Sequence, residues 1–233
     1  MKTAKTLLAL GLAALVSACS NSQLATRDAP FDAARKSGDS AIIKTFATQD
    51  ELKDKGATTP LDAIPMTVED ISVVVPKTLE VSEKHLYLPA ADIVWREDPI
   101  GDRHAQVRTI FQAAMKQGTE SMSGATPVSL YVQVMRFHAL TEKARFTVGG
   151  VHSIKFGLAV RDLNTGQLLG EPRIIEADLQ AFGGRQAMRA VQRGQTQKVR
   201  ITDHLAEVIR QELTEPGGFQ NPQLGLIQAM NKF

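Results

Sequence analysis

Ten consecutive apolar positions, residues 7–16, open the chain between Lys5 and Ser17. After them comes a stretch with only scattered apolar residues, up to about Pro60. Regular patterns start beyond Met66. The β-branched run Ile71-Ser72-Val73-Val74-Val75 halts at Pro76 and predicts a strand. Asp92-Ile93-Val94-Trp95 predicts a second, shorter one, closed by the turn-prone Asp98-Pro99. Val107, Ile110, Phe111, Ala114 and Met115 then recur at helical spacing. They predict a helix over residues 102–117, with Gly118 at the C-cap.

The clearest alternation follows. Val128, Leu130, Val132 and Val134 alternate with Ser129, Tyr131, Gln133 and Met135. Beyond Gly149-Gly150 the same period carries His152, Ile154, Phe156, Leu158 and Val160. A turn at residues 162–166, with Gly166 suited to positive φ, leads to a third strand over residues 173–182. These three strands predict an antiparallel meander. Gly183-Gly184 ends it, and residues 185–214 read as helical with an interruption at Gly194. In the last part Leu205, Val208, Ile209 and Leu213 share a face, Thr202 can cap the start, and Pro216-Gly217 stops it.

The order is ββ-α-βββ-α, which predicts the α+β class: an antiparallel sheet with helices packed on it. Ile110, Phe111, Leu130, Val132, Phe156, Leu158, Leu205 and Ile209 are placed in one core. The domain runs over residues 61–215, long enough to bury a core unaided. A tail, residues 216–233, follows it, and residues 19–60 are read as a flexible tether reaching roughly 35 Å on a coil estimate.

Lys2 and Lys5, the apolar run, and Ser17-Ala18 before Cys19 have the order of a secretory signal over residues 1–18. The run is half the roughly twenty residues that span a bilayer, so a retained transmembrane helix is not expected. Val16-Ser17-Ala18-Cys19 resembles the bacterial lipobox, an aliphatic residue and two small ones before the cysteine that receives lipid. That resemblance implies removal of residues 1–18 and lipidation of Cys19, with palmitate among the acyl groups. It also implies a lipid-anchored protein of the cell envelope. Ser20, where an Asp would cause inner-membrane retention, implies the outer membrane facing the periplasm.

Composition changes the picture in two ways. Cys19 is the only cysteine, so no disulfide forms within the chain and stability must come from the core. The 27 basic and 25 acidic residues give a formal charge of +2. Loss of residues 1–18 removes Lys2 and Lys5 and no acid, so the remainder is formally neutral. A basic nucleic-acid footprint is therefore not expected.

The hairpin region Val160-Arg161-Asp162-Leu163-Asn164-Thr165-Gly166-Gln167-Leu168-Leu169 resembles the D-x-x-T-G-x-x-L hairpin of several bacterial lipoprotein families of unknown function. Together with Ala91-Asp92-Ile93-Val94-Trp95-Arg96-Glu97-Asp98, it makes the domain similar to small uncharacterised envelope lipoproteins of alphaproteobacteria. The resemblance implies an envelope location and a small α+β domain, and supplies no active site to transfer.

Candidate chemistry is sparse. His85, His104, His138, His152 and His204 lack the close spacing of a zinc motif, and neither a metal nor a cofactor is expected. His138 and His152 would face each other if their strands form a hairpin centred near Arg145. Asp98-Pro99-Ile100-Gly101-Asp102-Arg103-His104 offers an Asp–His pair, against the simpler reading that Asp102 caps a helix. Gly183-Gly184-Arg185 could hold an anion at a helix N-terminus or serve as a turn. Arg185, Arg189, Arg193, Lys198, Arg200 and Arg210 could touch anionic head groups or form a solvated face. No nucleophile elbow, phosphate loop or dinucleotide fingerprint is present. The expected function is a membrane-anchored, non-enzymatic interaction or assembly module with an envelope protein partner. The alternative is an accessory lipoprotein of envelope lipid or solute transport with an apolar groove.

Overall fold

Two strands of thirteen residues each, β3 (Thr126–His138) and β4 (Gly150–Asp162), form the centre of the sheet. The computed structural model describes residues 60–230; residues 1–18, Cys19 and most of the expected tether lie outside them. β3 and β4 pair antiparallel, from Val128↔Asp162 to His138↔Ser153. Alternation along both puts Val128, Leu130, Val132 and Val134 on one face with Ile154, Phe156, Leu158 and Val160, all buried.

β5 (Leu168–Glu176) pairs antiparallel with β4, completing the expected meander. The third strand is nevertheless broken. After Ala177 and Asp178 a short β6 (Leu179–Ala181) resumes pairing at the beginning of β4. On the other side of β3, β1 (Met66–Val74) and β2 (Ile93–Val94) both run parallel to it. The sheet order is β1-β3-β4-β5, mostly antiparallel, with these parallel pairings at one margin. They arise because α1 (Arg103–Thr119) carries the chain back across the sheet between β1 and β3.

α1 and α4 (Gln197–Thr214) pack on the apolar face and on each other. Val107, Ile110, Phe111, Ala114 and Met115 from α1 join Ile201, Leu205, Val208, Ile209 and Leu213 from α4 in one core. All eight residues assigned to it from the sequence are there. Phe111 stands edge-on to Phe156, ring centres 5.4 Å apart, and Trp95 to Phe137 at 5.7 Å. Full burial of each such side chain stabilises the fold by about 1.5–3 kcal/mol.

Gly118 is not a C-cap. It lies inside α1 against α4, where a Cβ would overlap the Ala206 carbonyl and the Ile209 side chain. The glycine lets the two helix backbones touch, with the Ile209 side chain packed beside them. α4 also begins earlier than expected, capped by Thr196, whose Oγ1 accepts from the Val199 N–H at 3.3 Å, and not by Thr202. A separate α3 (Gly184–Gln192) precedes it, and Gly194 takes φ +77° between the two. α2 (Glu142–Arg145) is a single turn between β3 and β4.

The segment beyond α4 packs back on the domain. Glu212 Oε2 accepts from the Phe219 N–H at 2.9 Å, and Phe219 meets His204 ring to ring at 5.9 Å. At the β5–β6 break the buried Asp178 carboxylate accepts from Asn221 Nδ2 at 3.2 Å and Gln228 Nε2 at 2.7 Å. Gln228 belongs to α5 (Leu226–Met230).

Candidate functional site

Several ion-paired side chains surround residues 95–104, where the chain leaves β2 and enters α1. Asp102 caps α1 as expected: its Oδ1 accepts from the Ala105 N–H at 3.0 Å. That bond, then the one from Lys77, holds its carboxyl below the usual range. Arg103 is buried, donating Nε to Glu83 Oε1 at 2.6 Å and Nη1 to Gln106 Oε1 at 2.8 Å. Nη1 also donates to the Asp98 and Pro99 carbonyls at 3.0 and 3.1 Å. The hydrogen bond from Arg103 lowers the Glu83 pKa; Arg96, 2.8 Å from Glu83 Oε2, adds to this.

The next two acids serve α4, one hundred residues away. Glu97 accepts from the backbone N–H groups of Gln197 at 3.1 Å and Lys198 at 2.5 Å, and pairs with Arg145 at 2.8 Å. Asp98 accepts from Trp95 Nε1 at 2.8 Å and meets Lys198 Nζ at 3.0 Å. A carboxylate at that end of a helix both satisfies free N–H groups and complements the helix dipole. The Asp102 cap is legible in the local sequence; Glu97 is not, because its partners lie in another element and no local spacing signals them.

The Asp–His pair exists only loosely. His104 Nδ1 is 3.8 Å from Asp102 Oδ1, while Nε2 lies 3.2 Å from the Leu79 carbonyl oxygen. Both ring nitrogens thus face groups of the protein, Nδ1 toward Asp102 and Nε2 toward Leu79.

His138 and His152 do not face each other. The register pairs His138 with Ser153, which turns the two rings to opposite faces of the sheet. His138 Nε2 lies 2.9 Å from the Pro89 carbonyl. His152 is wholly buried toward the helices, and neither nitrogen has a hydrogen-bond partner among the described residues. Burial pushes its pKa down to about 3, with Arg200 contributing; burial lowers His138 and His204 as well. No group of three or more His, Cys, Asp or Glu suited to a metal ion occurs among the described residues.

Gly183 and Gly184 are held by their neighbours. A Cβ on Gly183 would overlap the Gly149 nitrogen, and one on Gly184 would lie 3.0 Å from the Thr147 carbonyl oxygen. The glycine pair lets two backbones touch. The Asp162 turn is equally local: Oδ1 accepts from the Asn164 N–H at 2.7 Å and the Thr165 N–H at 3.2 Å, and Gly166 has φ +72°.

Two surface depressions flank β1. One of about 480 Å³ lies between β1 and α1, lined by Thr67, Glu69, Ile71, Gln112 and Lys116. The other, about 640 Å³, shares Met122 with it and reaches Arg210 and Leu213 of α4. Both are open and mix charged with apolar side chains. No helix among the described residues is long and apolar enough to cross a membrane.

A family model matches residues 66–229, from the first residue of β1 into α5. The chain belongs to DUF6778, a family of unknown function. No curated protein matches this DUF6778 chain. Among solved structures it is similar to a Caulobacter crescentus protein provisionally described as a lipoprotein, at 14% identity and TM-score 0.30, covering 46% of this chain and 80% of that one. An uncharacterised protein aligns at 18% identity and TM-score 0.30, over 67% of this chain and 99% of the other. A variant of PelC from Paraburkholderia phytofirmans, a dodecamer, aligns at 11% identity and TM-score 0.25, over 66% and 93%. Superpositions this loose carry no argument about shared chemistry or assembly.

Proposed function

We propose that this DUF6778 chain is a cell-envelope lipoprotein, anchored through lipid on Cys19 in the outer membrane and facing the periplasm. Its α+β domain acts as a non-enzymatic interaction or assembly module for another envelope protein. One observation carries the second half: the polar cluster around Asp102 is consumed in holding α1 and α4. Glu83, Glu97, Asp98, Asp102 and His104 each have an internal partner. The anchor rests on the basic start, the apolar run and Val16-Ser17-Ala18-Cys19. A lipid- or solute-binding groove is the second reading, and the charged lining of the depressions beside β1 favours the first.

Two measurements test the proposal. Fatty-acid labelling in cells marks the wild type and not Cys19→Ala, and membrane separation places the protein in the outer fraction. Equal label, or recovery with the inner membrane, removes the anchor or its address. His104→Ala and Asp102→Ala retain the wild-type phenotype and the same crosslinked protein partner. Either variant folding normally yet behaving as a deletion makes the helix-start cluster a working site.

A further inference from the structure

At one end of the sheet, the β3–β4 connection and α3 both expose apolar side chains. Phe146 and Val148 stand 55% and 74% exposed on the connection, and Met188 and Val191 stand 53% and 40% exposed on α3. Isolated exposed apolar side chains are ordinary. These four are joined through the backbone contact already described. Gly184, the first residue of α3, abuts the Thr147 carbonyl, and Gly149 abuts the Gly183 nitrogen. Met188 and Val191 follow Gly184 at i+4 and i+7, so they continue along the helix face that meets the connection. Ala187 and Ala190 turn inward.

Cations border that apolar strip. Arg185 and Arg189, one turn apart, and Arg193 beyond them are exposed and have no ion pair among the described residues. Residues 179–202 contain five Lys or Arg and no Asp or Glu. The nearest acids across the connection are engaged: Glu97 with Arg145 and the start of α4, Glu142 with Arg96. The chain as a whole is nearly balanced in charge, so the imbalance here is local.

We infer that the Phe146–Val148 connection and α3 form a foot that rests on an anionic lipid surface. Phe146, Val148, Met188 and Val191 would dip into the head-group boundary, and Arg185, Arg189 and Arg193 would pair with lipid phosphates. A shallow apolar strip edged by unopposed cations is complementary to a negatively charged interface. A protein partner's groove would call for a deeper apolar ridge and paired charges. The inference places the domain against the membrane, and it does not depend on lipid at Cys19.

The test uses the lipidated protein reconstituted into vesicles of phosphatidylcholine, with or without phosphatidylglycerol. A single fluorophore is attached through Val148→Cys, the acylated Cys19 being closed to thiol reagents. A control protein carries it through Leu163→Cys. Leu163 lies just past the opposite end of β4, about 40 Å away at some 3.3 Å per residue. With anionic vesicles, nitroxide-labelled lipid quenches the Val148 probe several-fold more than the Leu163 probe. Phosphatidylcholine alone, high salt, or the R185Q/R189Q/R193Q triple variant abolishes the difference. Equal quenching at both positions, or none at Val148 on vesicle-bound protein, overturns the foot. A Val148 probe shielded only when an envelope protein is added overturns it in favour of a protein partner. If Cys19 carries no lipid, the protein fails to stay with neutral vesicles, a separate readout.

Discussion

Glu97 and Gln197 lie one hundred residues apart in sequence, yet the carboxylate of the first accepts the backbone N–H of the second at 3.1 Å. Arg145 closes the arrangement from α2, 2.8 Å from the same carboxylate. One acid thus joins the segment after β2, the β3–β4 connection and the start of α4.

Removing that acid should loosen all three. Glu97→Ala leaves the Gln197 and Lys198 amides uncapped and the largely buried Arg145 unpaired, 12% exposed at its side chain. A cap alone is worth about 1 kcal/mol, and an unpaired, mostly buried cation adds to that, for a total of about 2–4 kcal/mol. Glu97→Gln keeps an acceptor and should lose less. Urea denaturation of both variants measures the order; an Ala variant as stable as wild type would contradict the joint.

Gly118→Ala should destabilise the domain, against the usual sense of that substitution in a helix. Intrinsic propensity favours Ala by about 1 kcal/mol. Here the added methyl overlaps the Ala206 carbonyl and Ile209 Cγ2. Forcing α1 and α4 apart in a close-packed core costs about 1–3 kcal/mol, enough to outweigh the propensity gain. Gly166→Ala, with no atom within 4 Å of its Cβ but φ +72°, should lose only about 1 kcal/mol. Thermal unfolding ranks the two.

Stability should fall as the solution is acidified below pH ~6.5, with His152 a principal cause. The unfolded chain takes up a proton on this ring near its ordinary value, while the folded protein resists until about 3. The neutral ring's contribution is therefore complete above ~6.5 and is lost as pH falls through that window, at up to about 1.4 kcal/mol per unit. His138 and His204, also lowered, act with the same sign. Glu212, raised by burial, acts oppositely: its charged form is penalised as pH rises past 4.5. The comparison of wild type with His152→Leu isolates the histidine. The variant should match or exceed wild type at pH 7, since no hydrogen bond of the ring is lost, and should show a flatter profile below pH 6. Parallel profiles would exclude His152 as the cause.

What could be read in advance followed from local periodicity. Val107, Ile110, Phe111, Ala114 and Met115 gave α1 because burial of one helical stripe requires that spacing. Alternation from Val128 and from His152 gave β3 and β4, and Asp162 with Gly166 gave their neighbour's turn. What could not be read depends on pairs distant in the chain. Nothing local to Val73 says that it aligns with Val132 in parallel. Glu97 carries no mark of the helix it caps. Gly118 looks like a terminator until α4 is laid beside it. The His138–His152 pairing failed by one residue of register, and one residue is enough to turn a side chain to the other face. The close Gly149–Gly183 contact belongs to the same class: both glycines are visible in the sequence, their touching is not.

Asp178 has a consequence for the order in which the molecule is finished. Its carboxylate is buried at the β5–β6 break, and two of its partners, Asn221 and Gln228, lie 43 and 50 residues further along the chain. A chain synthesised from its amino end therefore reaches a state with every described strand and both long helices present while this carboxylate still lacks Asn221 and Gln228. Closure waits for residues 221–228, so the segment beyond α4 acts as a latch, set only after the sheet and helices it closes have been made.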